Sequence, residues 1–143
     1  MLRVAVIGTG FIGAVHAKNI ARHPDAELTA VTDANIEYAE KIAATTGARA
    51  VADIAEILDD EDIQAVVIAT PTNTHVDYLK DAANAGKAIY CEKPIGLDYD
   101  EAEGAVRAVR AAGVRVMLGF NRRFDAKPRR SKGGCRPRRC RKS

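Results

Sequence analysis

The chain has 143 residues, 47% of them hydrophobic, which suffices for one domain with a substantial core. No apolar run approaches the roughly 20 residues that cross a bilayer, and the opening stretch is broken by Gly8 too soon to act as a secretion signal, so a cytoplasmic protein with reduced thiols is expected. The net charge of +3 hides a break in composition: all 19 acids lie at or before Asp125, giving that part a net charge of −6, while residues 127–142 hold three Lys, six Arg and no acid.

From the N-terminus, short apolar runs alternate with helical patterns. Residues 4–7 read as a strand, 11–22 as a helix, 28–32 as a strand and 35–46 as a helix. A short strand over 48–51 follows, then a short helix through Leu58 with Asp53 as its N-cap. Residues 65–69 form a strand, and 73–85 a helix ended by Gly86. Residues 88–91 form a strand, 99–112 a helix ended by Gly113, and 114–118 a last strand. Fully apolar strands such as Ala65-Val66-Val67-Ile68-Ala69 suit a parallel sheet covered on both faces. Strands alternating with helices imply right-handed crossovers and an α/β, Rossmann-type doubly wound sheet. The expected organisation is a nucleotide-binding domain over 1–125 and a basic, disordered tail over 126–143.

Gly8-Thr9-Gly10-Phe11-Ile12-Gly13 fits G-x-G-x-x-G, and it follows a strand and opens a helix, the setting that gives the pattern meaning. Gly8 permits the tight turn, Gly10 lets the backbone approach a pyrophosphate, and Gly13 lets the helix pack close to the sheet. The free N–H groups and positive dipole end of that helix, around Phe11 and Ile12, then hold phosphates. Asp33 ends the second strand, 20 positions beyond Gly13. A carboxylate there accepts ribose hydroxyls and repels a 2′-phosphate, which favours NAD over NADP. A ligand-free glycine turn with a capping Asp is the plain structural alternative, and FAD- or SAM-binding variants of the same architecture are others.

His16 and His23 read as a helix-face and a helix-end histidine. Cys91 reads as a small buried hydrophobe. Cys135 and Cys140 lack the second pair or nearby His that a zinc site needs, so no metal is expected.

Two loops and a closing segment sharpen the picture. Ile68-Ala69-Thr70-Pro71-Thr72-Asn73-Thr74-His75 follows one strand, Tyr90-Cys91-Glu92-Lys93-Pro94 follows the next, and Gly119-Phe120-Asn121-Arg122-Arg123-Phe124-Asp125 follows the last. In this order and spacing, with the glycine turn, they resemble the glucose–fructose oxidoreductase, inositol 2-dehydrogenase and MocA (Gfo/Idh/MocA) family over residues 1–125, and the inositol 2-dehydrogenase branch most.

That resemblance implies an NAD(P)-dependent oxidoreductase that oxidises a secondary alcohol of a sugar or cyclitol by hydride transfer to the nicotinamide. It implies that Thr70, Pro71, Asn73 and His75 line the cofactor path, with a local hydrogen bond the alternative for His75. It places Glu92 and Lys93 near the nicotinamide and makes Lys93 the catalytic, substrate-contacting lysine, a surface lysine beside Pro94 being the alternative. It suggests a cis Lys93–Pro94 bond and leaves Arg122 either facing substrate or solvated.

Members of that family are more than twice as long and oligomeric. Their second, α+β domain carries the substrate pocket and the Asp and His partners of the lysine. After Asp125 this sequence has neither Asp nor His. A chain truncated after the nucleotide-binding domain, which retains cofactor binding but lacks turnover, is therefore the expectation. Back-translation of 132–142 with Arg as CGN, read one base later, permits Lys-Ala-Ala-Val-Ala-Arg-Gly-Asp-Val-Gly, so a frameshift is one account of the tail. The rival readings are a non-catalytic nucleotide-binding module, an unstable remnant, and a basic tail that binds nucleic acid weakly. The tail lacks an aromatic residue to stack bases, which disfavours nucleic acid as a partner.

Overall fold

The computed structural model describes residues 1–124. The expected tail, the end of the expected first domain at Asp125, and Cys135 and Cys140 lie outside the described residues. Six strands, β1 (Leu2–Ile7), β2 (Ala26–Thr32), β3 (Arg49–Ala50), β4 (Ala65–Ile68), β5 (Ala88–Cys91) and β6 (Val116–Leu118), form one sheet in the order β3-β2-β1-β4-β5-β6. Every neighbouring pair is parallel. Between them run α1 (Phe11–Ala21), α2 (Ile36–Thr46), α3 (Ala55–Leu58), α4 (His75–Asn84) and α5 (Tyr99–Ala112). The expected doubly wound Rossmann architecture is therefore present.

The side-chain period of a strand explains the two cores. Ala5 and Ile7 of β1 join Val66, Ile68, Leu79 and Ala105 in one cluster, on the side of α4 and α5. Val4 and Val6 point the other way and join Ala17, Leu28, Val31 and Ala39 beneath α1 and α2. Because both faces of the central strands are covered, β1 and β4 are apolar almost throughout.

Local chemistry sets the helix ends. Asn35 caps α2 by accepting the Glu37 N–H at 3.1 Å. Asp98 caps α5 by accepting the N–H groups of Asp100 and Glu101 at 2.8 and 3.1 Å, and Gly113 ends that helix at φ 68°.

Several expected bounds move, and β1 and β2 each begin two residues earlier, at Leu2 and Ala26. Asp53 does serve the start of α3 as expected: its Oδ1 accepts the Ala55 N–H at 2.9 Å and its carbonyl the Glu56 N–H at 3.2 Å, with Ile54 between them already helical in its dihedrals. The helix expected from Asn73 begins at His75, because Thr72–Thr74 forms a tighter 3-10 turn in which the Thr74 hydroxyl bonds the Pro71 carbonyl at 2.8 Å. The last strand starts at Val116 rather than at residue 114, although the Arg115 carbonyl just before it already accepts the Ile89 N–H at 2.8 Å. A further 3-10 turn, Asn121–Phe124, was not anticipated.

The strand order reverses between β1 and β4, so their outgoing loops part and leave a crevice at the carboxyl end of the sheet, where such sheets take ligands. On the α1 side an apolar groove of about 540 Å³, lined by Leu2, Val4, Ile20, Tyr90 and Met117 among others, is open among the described residues.

Candidate cofactor site

The crevice is built by the glycine turn. Gly8 has φ +90°, and a Cβ there would stand 2.8 Å from the backbone of Ala69 and Thr70. A Cβ on Gly13 would overlap the Gly8 carbonyl oxygen. Both glycines are therefore structural: they let α1 start directly against β1 and β4. Gly10 differs, because a Cβ there would meet nothing within 4 Å. The fold itself does not require its bareness. It is also the N-cap of α1, which has no side-chain cap and no acid in its first turn. The N–H groups that begin α1 thus meet no carboxylate from their own helix.

Asp33 lies just beyond β2 with both carboxylate oxygens engaged. Oδ2 accepts the Thr9 N–H at 2.6 Å and the Thr9 hydroxyl at 3.1 Å, and Oδ1 accepts the Asn35 N–H at 3.1 Å. The carboxylate is thereby fastened beside the glycine turn.

The crevice has a volume of about 690 Å³. Of the expected cofactor residues, Gly8, Gly10, Phe11, Ile12, Asp33, Thr70, Pro71 and Asn73 all line it. Gly13 lies beneath the turn, as its packing role demands. His75 does not line the crevice. It is 1% exposed, with Nδ1 2.7 Å from the Pro94 carbonyl oxygen and Nε2 2.8 Å from that of Thr70, the local hydrogen bonding that was the alternative for this residue.

Glu92, Lys93 and Arg122 also stand outside the crevice. The Glu92 Oε1 meets His16 Nε2 at 2.8 Å and accepts the Tyr90 hydroxyl at 3.3 Å. Lys93 is exposed, in a loop with a cis Lys93–Pro94 bond. Arg122 is exposed in the closing 3-10 turn.

Several residues escaped the reading of the sequence. Tyr38 of α2, the 52–54 segment and Tyr78 of α4 complete the crevice wall. Tyr38 carried a faint signal: it lies one turn into the helix that follows the acidic strand end, yet stays 51% exposed. His16 was read as an ordinary helix-face residue, and only the fold brings α1 over the end of β5 so that its ring meets Glu92 and stands edge-on to Tyr90 at 5.1 Å. Burial, then the charge of Glu92, raises the Tyr90 phenol above its usual value. Burial first and Glu92 second push the Cys91 thiol up to about 12. Among the described residues, no group of three or more His, Cys, Asp or Glu side chains is placed to hold a metal, and no helix is long and apolar enough to cross a membrane.

Comparison with known proteins identifies the family and the fold. The Gfo/Idh/MocA family model, described as an oxidoreductase family with an NAD-binding Rossmann fold, matches residues 2–120. An inositol 2-dehydrogenase of Rhizobium meliloti is 47% identical over 124 residues, 87% of this chain and 37% of the relative. The crystal structure of a myo-inositol dehydrogenase from Corynebacterium glutamicum superposes with a TM-score of 0.82 at 45% identity, covering 88% of this chain and 38% of that one. A scyllo-inositol dehydrogenase from Lactobacillus casei, solved with bound NAD(H) and scyllo-inositol, superposes at 0.85 with 32% identity, covering 91% of this chain and 39% of its own. The chain thus spans little more than a third of the length of the relatives it matches.

Proposed function

Because the chain belongs to the Gfo/Idh/MocA oxidoreductase family, we propose that its crevice holds NAD in preference to NADP. We propose too that the protein's ancestral chemistry is oxidation of a secondary alcohol on a cyclitol or sugar. The observation that carries this reading is Gly10. Its missing Cβ leaves room that the fold does not use, directly over the uncapped start of α1. A pyrophosphate fits both features, since it needs close backbone approach and N–H donors.

The residues for the rest of the cofactor follow from their places. Gly8, Gly10, Phe11 and Ile12 take the pyrophosphate. Asp33, fastened by Thr9, accepts ribose hydroxyls and opposes the charge of a 2′-phosphate. Thr70, Pro71 and Asn73 form the opposite wall. When bound, the nicotinamide supplies a hydride acceptor. Lys93 is the residue proposed to hold the reacting hydroxyl and help move its proton. Glu92 beside it is tied to His16 and Tyr90. Arg122 is proposed to face substrate. The relatives named as inositol dehydrogenases favour a cyclitol. Residues 1–125 are proposed as one nucleotide-binding domain.

Calorimetric titration of the chain with NAD and NADP tests the reading. Saturable NAD binding at least tenfold tighter than NADP is expected, and equal affinities would remove the role given to Asp33. Residues 126–143 contain neither Asp nor His to partner Lys93, so binding without turnover of myo- or scyllo-inositol is expected of these 143 residues by themselves. Robust NADH formation by the pure chain would sink that expectation.

A further inference from the structure

His75 spends a buried polar ring on two main-chain oxygens that belong to different loops. The Thr70 carbonyl, 2.8 Å from Nε2, lies in the loop after β4 that walls the crevice. The Pro94 carbonyl, 2.7 Å from Nδ1, lies in the loop after β5 that carries Lys93. A ring with both N–H groups donates to both oxygens, and a neutral ring has one N–H for two acceptors. Burying such a ring is costly unless these bonds are made, and an apolar residue would fill the space without that cost.

Besides this bridge the β5 loop is anchored by Ile95, which packs against the core under α4 and α5, and by few main-chain bonds. Glu92 still bonds the Ile68 carbonyl through its N–H at 3.0 Å, but from there to the α5 cap Asp98 the chain forms neither helix nor strand. On the near side of Lys93, the Glu92 carboxylate is held by His16 from α1. On the far side, the Pro94 carbonyl is held by His75 from α4. We propose that His75 is a positioning residue, clamping the Thr70 and Pro94 loops together and so setting where Lys93 stands relative to the nucleotide crevice. With His16 and Glu92 it brackets Lys93 from helices on opposite faces of the sheet.

The nucleotide half of this inference rests on the cofactor reading above; the loop half does not. Two measurements on the full chain separate them. Backbone ¹⁵N order parameters, taken without ligand, report the clamp itself. In His75→Leu, which keeps the bulk but donates no hydrogen bond, the amides of Lys93, Ile95 and Gly96 should fall from the rigid range near ~0.85 to below ~0.6, with β1 unchanged. In His75→Gln, which restores one donor, the fall should be smaller. Titration with ADP and NAD then reports the consequence. ADP, which reaches only the glycine-turn side, should bind His75→Leu within twofold of the unsubstituted chain. NAD should bind about fivefold more weakly, the scale of one lost hydrogen bond.

A merely structural role would weaken both ligands in parallel, and that outcome overturns the proposal. So does an unchanged Lys93 segment in a folded His75→Leu chain. If His75→Leu does not fold, His75→Gln decides the matter by the same order parameters: a fall confined to residues 93–96 supports the clamp, and no fall removes it. An unsubstituted chain that binds neither ADP nor NAD refutes the cofactor reading, while the order parameters still decide the clamp.

Discussion

Gly10 and Gly13 stand three positions apart and carry different loads. A Cβ on Gly13 runs into the Gly8 carbonyl, whereas a Cβ on Gly10 finds open space. Gly10→Ala should therefore leave the thermal midpoint within a few degrees while NAD affinity falls at least tenfold. Gly13→Ala should instead lower stability, by ~2 kcal/mol or more, because α1 cannot start where it does. Thermal melts beside NAD titrations check the pair. A Gly10→Ala chain that binds NAD normally would remove the phosphate role. The motif was legible as letters, but the two roles were not, since only the packed backbone shows which missing Cβ the fold needs. Cys91 makes a second case. Burial holds its thiol at about 12 in the folded chain, against about 8.5 for an exposed thiol. The folded state therefore resists an ionisation that the unfolded chain accepts. The stability this contributes is intact below the ordinary thiol value and is lost as pH rises from there toward 12. Urea midpoints at pH 8 and pH 10.5 should fall less for Cys91→Ala than for the unsubstituted chain. An equal fall would show that the thiol is not coupled to folding.

Among the elements, α5 shows how far local sequence reaches. It was expected over 99–112 and lies at Tyr99–Ala112, because both ends carry their own instructions. Asp98 accepts two orphan N–H groups, and Gly113 takes φ 68° beyond the last turn. Asp98→Ala should cost ~1 kcal/mol, read as a shift in urea midpoint with unchanged slope. A shift below a few tenths of a kcal/mol would mean that the cap is redundant. The start of α4 was nevertheless misread. Asn73 looks like a helix opening, yet the Thr74 hydroxyl binds back to both the Pro71 carbonyl and the Thr70 hydroxyl at 2.8 Å, tightening the chain into a 3-10 turn. Both partners lie within four residues, but a threonine hydroxyl bonding back to its own turn leaves no mark in the apolar spacing from which a helix start is read. The direction of the His75 ring, toward the Thr70 and Pro94 carbonyls instead of the crevice, does depend on a distant segment, since Pro94 lies 19 residues on.

At the scale of the molecule, the sheet is covered unequally. Helices α4 and α5 pack on one face of the strands from β1 onward, while on the other face the groove beside α1 exposes Leu2 at 47% and Met117 at 50% among the described residues. An apolar surface of this kind binds hydrophobic dyes and promotes association. The chain should enhance the fluorescence of anilinonaphthalene sulfonate under native conditions, and Met117→Lys should reduce that signal at least twofold without lowering the thermal midpoint. Native fluorescence no higher than that of a well-covered globular protein would show the groove to be closed in solution. By itself the sequence determined the alternation of strands and helices, the glycine turn, the acidic strand end and the family to which the chain belongs. These are set by periodicity, caps and spacing, all local along the chain. Only the tertiary structure decided the strand order that opens the crevice, the Thr9–Asp33 fastening, the His16–Glu92 pair and the burial of His75. Each of these joins segments distant in sequence. Their partners are selected by which loops the parallel sheet brings to its carboxyl edge, not by any pattern of neighbouring residues.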